Sequence, residues 1–164
     1  MKIKILTSFT IQYPINWQRT FTVNVPDVSG VKFCPIPSSP KIKICSLNTG
    51  IVYVTAYFSP GLAKSGLSIP GLGNPSTLDG VTEQKISDAR SYGSLIDSSS
   101  TTLGGLQAHK IEYMSNGQNA THYIEVYALT DDGSLYDISF KSTQENFGSK
   151  LPQAEQIINS FAIR

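Results

Sequence analysis

Between Leu106 and Phe140 the 164-residue chain runs as three strand-like segments joined by two turn signals, and this stretch limits the possible folds more than any other. Residues 106–114 and 120–129 are rich in β-branched and aromatic side chains and flank Ser115-Asn116-Gly117-Gln118-Asn119. Asn-Gly supplies residues that tolerate the positive φ of a tight hairpin. A second signal, Asp131-Asp132-Gly133, sends the chain back through 134–141, where Tyr136, Ile138 and Phe140 alternate with Leu135, Asp137, Ser139 and Lys141. The pattern predicts a three-stranded antiparallel meander. After a loop at 143–148, Ala154, Ile157, Ile158 and Phe161 fall at the i, i+3, i+4, i+7 spacing of a helix with one apolar stripe. Such a helix covers one face of the sheet.

Upstream, residues 9–13 alternate apolar and polar until Pro14 removes a ladder donor. Trp17, in the turn that follows, reads as a core anchor rather than a ligand-stacking platform, because aromatic side chains act mainly through buried area. Residues 20–25 alternate again, with Phe21, Val23 and Val25 on one face. Short strands are expected at 31–34 and 41–45, around a loop at 35–40 whose three prolines exclude a central strand. Residues 51–58 are nearly apolar on both faces, the pattern of a central strand covered on both sides. The glycine- and proline-rich segment 59–75 is long for a structureless connection. Its Leu62, Leu67, Ile69 and Leu72, with Pro37 of the proline loop, are the candidate partner-binding positions. The plainer reading tucks the same side chains back onto the domain.

A helix is expected from Ser76, with Asp79 near its free amides, Leu78, Val81, Thr82, Ile86 and Ala89 along one side, and Gly93 as its cap. An extended piece at 95–100 leads to Gly104-Gly105 and the meander. This order of elements reads as α+β, helices packed on a largely antiparallel sheet, in a single domain spanning 1–164.

Charged residues make up 15 % of the chain against roughly 25 % in an average soluble protein. The surface is therefore rich in hydroxyls rather than charges. Net charge is +1 with no long run of one sign, which argues against nucleic acid as a partner and against an electrostatic footprint for anionic lipid. No segment reaches the ~20 apolar residues of a membrane span, so direct membrane insertion by this segment is not expected. The residues before Thr7 are too few for the apolar region of a signal peptide, which leaves a cytosolic protein or a processed form of an exported one. Cys34 and Cys45 close a disulfide in the second case and stay as buried thiols in the first.

No constellation of catalytic groups emerges, and neither an enzyme nor a cofactor is assigned. With the first hairpin centred on Gly117-Gln118, His109 faces Val126, Ile111 faces Ile124 and Tyr113 faces His122. Both histidines then share a sheet face but sit about 14 Å apart, too far for one metal. The same register sets Lys110 opposite Glu125 as a cross-strand pair. Glu125, Asp131, Asp132 and Asp137 could offer oxygens to a metal or small ligand, yet their spacing is not that of an EF-hand and Asp132-Gly133 is explained by the turn. Gly71-Leu72-Gly73 is not a phosphate loop. Asn119-Ala120-Thr121 fits a glycosylation acceptor at an exposed turn.

Three stretches carry a likeness to a known family: Phe9-Thr10-Ile11-Gln12-Tyr13-Pro14 with Asn16-Trp17, then residues 102–113 (Thr-Leu-Gly-Gly-Leu-Gln-Ala-His-Lys-Ile-Glu-Tyr), then Leu151-Pro152 with Ser160-Phe161. In order and spacing the chain resembles the PsbP-like proteins, named for an extrinsic lumenal subunit of the oxygen-evolving photosystem, and is most similar to their small archaeal and bacterial members. The resemblance implies an α/β/α sandwich, a fold shared with a yeast Ran-binding protein. It also implies a non-enzymatic binding or assembly role outside the cytoplasm, with a protein partner, often a membrane complex; a cytosolic adaptor is the alternative. The basic N-terminal extension that docks the plant subunit has no counterpart before Phe9, and its partners are not carried over.

Overall fold

The computed structural model describes residues 2–4, 9–25, 28–37, 44–58 and 77–163. Among them the order is β1 (Lys2–Lys4), β2 (Phe9–Gln12), β3 (Trp17–Val25), β4 (Val28–Pro35), a short 3-10 helix (Leu47–Thr49), β5 (Ile51–Tyr57), α1 (Leu78–Tyr92), β6 (Gly93–Leu103), β7 (Leu106–Ser115), β8 (Thr121–Leu129), β9 (Leu135–Thr143), α2 (Gln144–Asn159) and β10 (Ala162–Ile163). Seven strands form an antiparallel sheet in the order β3-β4-β5-β9-β8-β7-β6, and β1, β2 and β10 form a smaller one. One helix lies on each face of the large sheet, which is the expected α/β/α sandwich.

The alternation on β9 sorts its residues between these layers. Tyr136, Ile138 and Phe140 are buried with Val52, Val54 and Ala56 of β5, Ala154, Ile157 and Ile158 of α2, and Phe9, Ile11 and Phe161 from the region of the small sheet. Trp17 joins this core at 2 % exposure, its Nε1 donating to Gln153 Oε1 at 3.3 Å, and so acts as the anchor expected of it. The opposite face holds a smaller core of Val81, Ala89, Ile111, Tyr127 and Leu135 beneath α1.

Several sequence-based expectations need correction. The meander has four strands, since 95–100 belongs to an eleven-residue strand, β6, paired along β7. β5 is buried on one face only; Tyr53, Thr55 and Tyr57 on the other are half-covered. Helix α1 is capped by Thr77, whose Oγ1 accepts from the Gly80 amide at 3.1 Å, rather than by Ser76, which lies outside the described residues. Helix α2 begins at Gln144, so most of the loop expected at 143–148 is helical. Pro152 sits inside it and withdraws the donor that Gly148 would otherwise bond, at an exposed turn where water can replace it. Ile44 and Cys45 are not in a strand, and the rest of 41–45 falls outside the described residues.

Candidate functional site

One end of the large sheet gathers chain segments that are far apart in sequence. Phe58 just after β5, the start of α1 (Leu78), the start of β7 (Leu106 and Gln107), the turn from Leu129 to Ser134, Tyr136 of β9 and Ile163 of β10 line a cavity of about 580 Å³. Phe58, Leu78, Leu106, Leu129 and Ile163 give it apolar lining, and the β8–β9 turn supplies hydroxyls and carboxylates. That volume lies within the roughly 300–1,000 Å³ of small-ligand sites.

The turn is held by its own polar groups. Thr130 N donates to Ser134 O at 2.9 Å and Gly133 N to Thr130 O at 2.8 Å, with Gly133 at φ 82° where a side chain would be strained. The Asp132 carboxylate accepts from the Thr130 hydroxyl and from the Ser134 amide, and these bonds hold it below the usual carboxylate range. Asp131 is exposed beside it. The Asp132 carboxylate is thereby favoured in its charged form, and both side chains are exposed to a cationic or hydrogen-bond-donating group.

A second polar cluster is buried between α1 and the sheet. Lys85 Nζ lies 2.6 Å from Glu125 Oε2 and 2.6 Å from Asp137 Oδ2, with side-chain exposures of 10, 16 and 16 %. Glu125 also accepts from the Tyr113 hydroxyl at 2.6 Å, and Lys85 stands 5.1 Å from the centre of the Tyr127 ring. The lysine bridges two carboxyl groups, so the cluster holds one more acid than base. Although burial penalises all three ions, Asp137 and Glu125 hold the Lys85 ammonium above its ordinary range. The ammonium and the Tyr113 hydroxyl keep Glu125 low against burial, whereas burial and the neighbouring Glu125 push Asp137 up. Burial first, then the Glu125 charge, raises the Tyr113 phenol, and burial pushes Tyr127 up to about 12. No buried polar side-chain atom of the cluster is left without a partner, which makes it a fastening for α1 more than an open reaction site.

The expected hairpin register is off by one. His109 faces Tyr127, Ile111 faces Glu125, Tyr113 faces Tyr123 and Met114 faces His122. Ser115 Oγ captures the Thr121 amide at 2.9 Å and closes a loop one residue longer than a turn centred on Gly117-Gln118 requires. One residue of slip reverses the faces. His109 thus lies on the α1 side with Ser98 Oγ at 2.8 Å, and His122 on the α2 side, stacked on Phe147 and 2.7 Å from Glu112. Lys110 is opposite Val126 and pairs with Asp97 at 3.4 Å instead of Glu125.

The acidic set proposed for a metal or small ligand is also split, because Glu125 and Asp137 are committed to Lys85 while Asp131 and Asp132 sit on the turn. Among the described residues no group of three His, Cys, Asp or Glu side chains could hold a metal. Of the partner-binding candidates, Leu62, Leu67, Ile69 and Leu72 lie outside the described residues and Pro37 is half-buried. Cys34 and Cys45 are joined in a disulfide with their Cα atoms 5.6 Å apart. Among the described residues no helix is long and apolar enough to cross a membrane.

Sequence reasoning missed Lys85. Its signal was a lysine at i+4 between Val81 and Ala89, in the middle of the apolar stripe, with two strands each carrying one carboxylate among apolar residues to receive it.

No family model matches the chain, and no curated protein does. Solved structures match along its whole length. PsbP of the cyanobacterium Synechocystis sp. PCC 6803 superposes with a TM-score of 0.61 at 15 % identity, over 100 % of this chain and 92 % of that one. LpqN, involved in cell envelope biogenesis of Mycobacterium tuberculosis, gives 0.60 at 11 % identity, over 99 % and 89 %. A Pseudomonas aeruginosa protein of unknown function, PA94, gives 0.55 at 8 % identity, over 98 % and 94 %. At such identities the likeness speaks to architecture, and it agrees with the motifs at 9–17, 102–113 and 151–161: the chain has the PsbP-like fold.

Proposed function

We propose that this chain is a non-enzymatic extracytoplasmic binding or assembly module that works beside a membrane protein complex. The observation that carries the reading is the cavity of about 580 Å³, lined by apolar side chains and by the hydroxyls and carboxylates of the β8–β9 turn. A protein segment with an apolar side chain and a neighbouring donor or cation suits it. Residues 59–77 join Phe58 to Leu78, both of which line the cavity, in sequence. Leu62, Leu67, Ile69 and Leu72 are the proposed contact positions on that account, whereas Pro37 follows the far end of β4 and lies away from this cavity. The Cys34–Cys45 disulfide supports an oxidising compartment. The cell-envelope role of LpqN points the same way.

A photo-crosslinking residue placed in native cells at Gln107, exposed on the rim, or at Glu83, exposed on the outer side of α1, tests this. The expected result is a discrete protein adduct from position 107 alone, lost when residues 67–72 are deleted while the thermal unfolding curve is kept. Equal adducts from both positions, or one indifferent to the deletion, overturn the binding reading. In the same cells both cysteines should resist alkylation until a reductant is added; two reactive thiols would favour the cytosolic adaptor.

A further inference from the structure

The end of β3 and β4 presents three isoleucines to solvent. Ile15 is 91 % exposed, Ile44 76 % and Ile36 54 %. They come from three separate stretches that the fold holds together. Trp17 N donates to Pro14 O at 3.0 Å and closes the turn whose tip is Ile15; Ile36 N donates to Asn16 O at 2.7 Å; and the Cys34–Cys45 disulfide ties Ile44 to the chain just before Ile36. Single exposed aliphatic residues are ordinary on a protein surface, but several on one tip mark a contact.

Charge is distributed to match. Residues 1–50 hold six lysines and arginines against the single acid Asp27, a balance of +5, and residues 51–164 hold seven against eleven acids, a balance of −4. The net charge of +1 hides this division. Arg19, exposed on β3, and Lys32, half-buried on β4, stand within three residues of the pairing Trp17 to Pro35 that borders the tip. Lys43 adjoins Ile44 in sequence.

We propose that this tip docks on an anionic lipid surface, with Ile15, Ile36 and Ile44 entering the boundary between headgroups and acyl chains and with Arg19 and Lys32 beside the phosphates. Projecting isoleucines with no exposed Trp or Tyr among the described residues of the tip suit a fluid apolar layer better than a protein interface, which relies on aromatic anchors seated in pockets, and Arg19 beside them is one of the cations. Cations around them complement an anionic leaflet and are screened by salt. The contact is peripheral and lies apart from the cavity, so it goes beyond the binding reading and stands or falls separately.

Flotation of the purified chain with phosphatidylcholine vesicles, with or without phosphatidylglycerol, tests it. The expected result is binding to the anionic vesicles alone, weakening as salt is raised. Ile15→Asp and Ile44→Asp should each lower the partition coefficient by about tenfold or more. Both side chains are exposed enough that the unfolding midpoint should stay in place. Ile96→Asp on β6, 51 % exposed and in the acidic part of the chain, should change nothing. Absence of binding to anionic vesicles overturns the proposal, as does binding indifferent to Ile15→Asp, or self-association or capture of an acidic protein with the vesicles left untouched. The Gln107 crosslinks do not bear on this outcome, nor vesicle binding on theirs.

Discussion

Lys85 settles how α1 meets the sheet, because a buried ammonium between two carboxylates is costly to assemble and costlier to break. Removing one partner of a buried pair typically loses about 3–5 kcal/mol, since the remaining charge is left without compensation. The two carboxylates, however, are not equivalent. Glu125 is held low by Lys85 and also takes the Tyr113 hydroxyl; Asp137, raised by burial and by Glu125, is the surplus acid. Glu125→Gln should therefore lower the unfolding free energy by about 2–3 kcal/mol, whereas Asp137→Asn, which keeps an acceptor for Lys85, should be neutral or stabilising near pH 7. The signs in pH are opposite. A carboxyl raised on folding contributes stability at low pH that is lost as pH rises through its folded value, and one depressed on folding contributes stability that is lost as pH falls through its folded value. Urea titrations at pH 4 and pH 7 should show Asp137→Asn gaining on the wild type between the two, and Glu125→Gln losing most at pH 7. A wild type that gains on Asp137→Asn as pH rises would reverse the assignment. At this scale the sequence was only partly legible. Trp17 could be read as an anchor from its size, but Lys85 was passed over because a lysine in a helix is normally solvated, and only the three-dimensional meeting of two strands and a helix distinguishes this one.

Among the elements, β6 shows why a strand can go unseen. Ser94, Asp97, Ser98, Ser99, Ser100, Thr101 and Thr102 offer no apolar alternation, because this edge strand is half-buried on one side and exposed on the other. What makes it a strand is its ladder with β7, which leaves no mark in hydropathy. Both hairpins of the apolar meander, by contrast, could be read directly from alternation and turn residues. The register of the first could not, since a serine side chain and not the Asn-Gly pair sets the loop length. The junction from α1 into β6 adds a sharper constraint. Gly93 has φ 175°, extended backbone open to any residue, so its requirement is one of space: a Cβ there would come within 1.9 Å of the Met114 carbonyl oxygen. Gly93→Ala must push β6 away from β7 at the point where α1 ends. The expected loss is about 1–3 kcal/mol, visible as a lower urea midpoint, while Gly105→Ala is strained only by its φ of 88° because no atom lies within 4 Å of its added carbon. Equal losses at the two positions would show that crowding at Met114 is not the cause at Gly93.

For the molecule as a whole, the sheet separates two cores of unequal depth, and the difference sets the order in which the structure should open. The face under α2 packs aromatic rings from β2, β9, α2 and the residue before β10: Phe9 against Phe161 and Tyr136, and Phe140 against Phe147. Helix α1, on the other face, has Val81 and Ala89 over Ile111, Tyr127 and Leu135, with the Lys85 cluster beside them. Local opening follows the amount of apolar area and the number of fastenings that must be released. Amides of α1 and of the edge strand β6 should thus exchange with deuterium at a lower opening free energy than those of β5, β8 and β9. Lys85→Met tests the source of that difference, because the methionine keeps most of the apolar length and leaves Glu125 and Asp137 facing one another. Exchange in α1 should accelerate well beyond that in α2, whose contacts do not include the cluster. If both helices accelerate together, the two faces open as one unit and the fastening by Lys85 is not local.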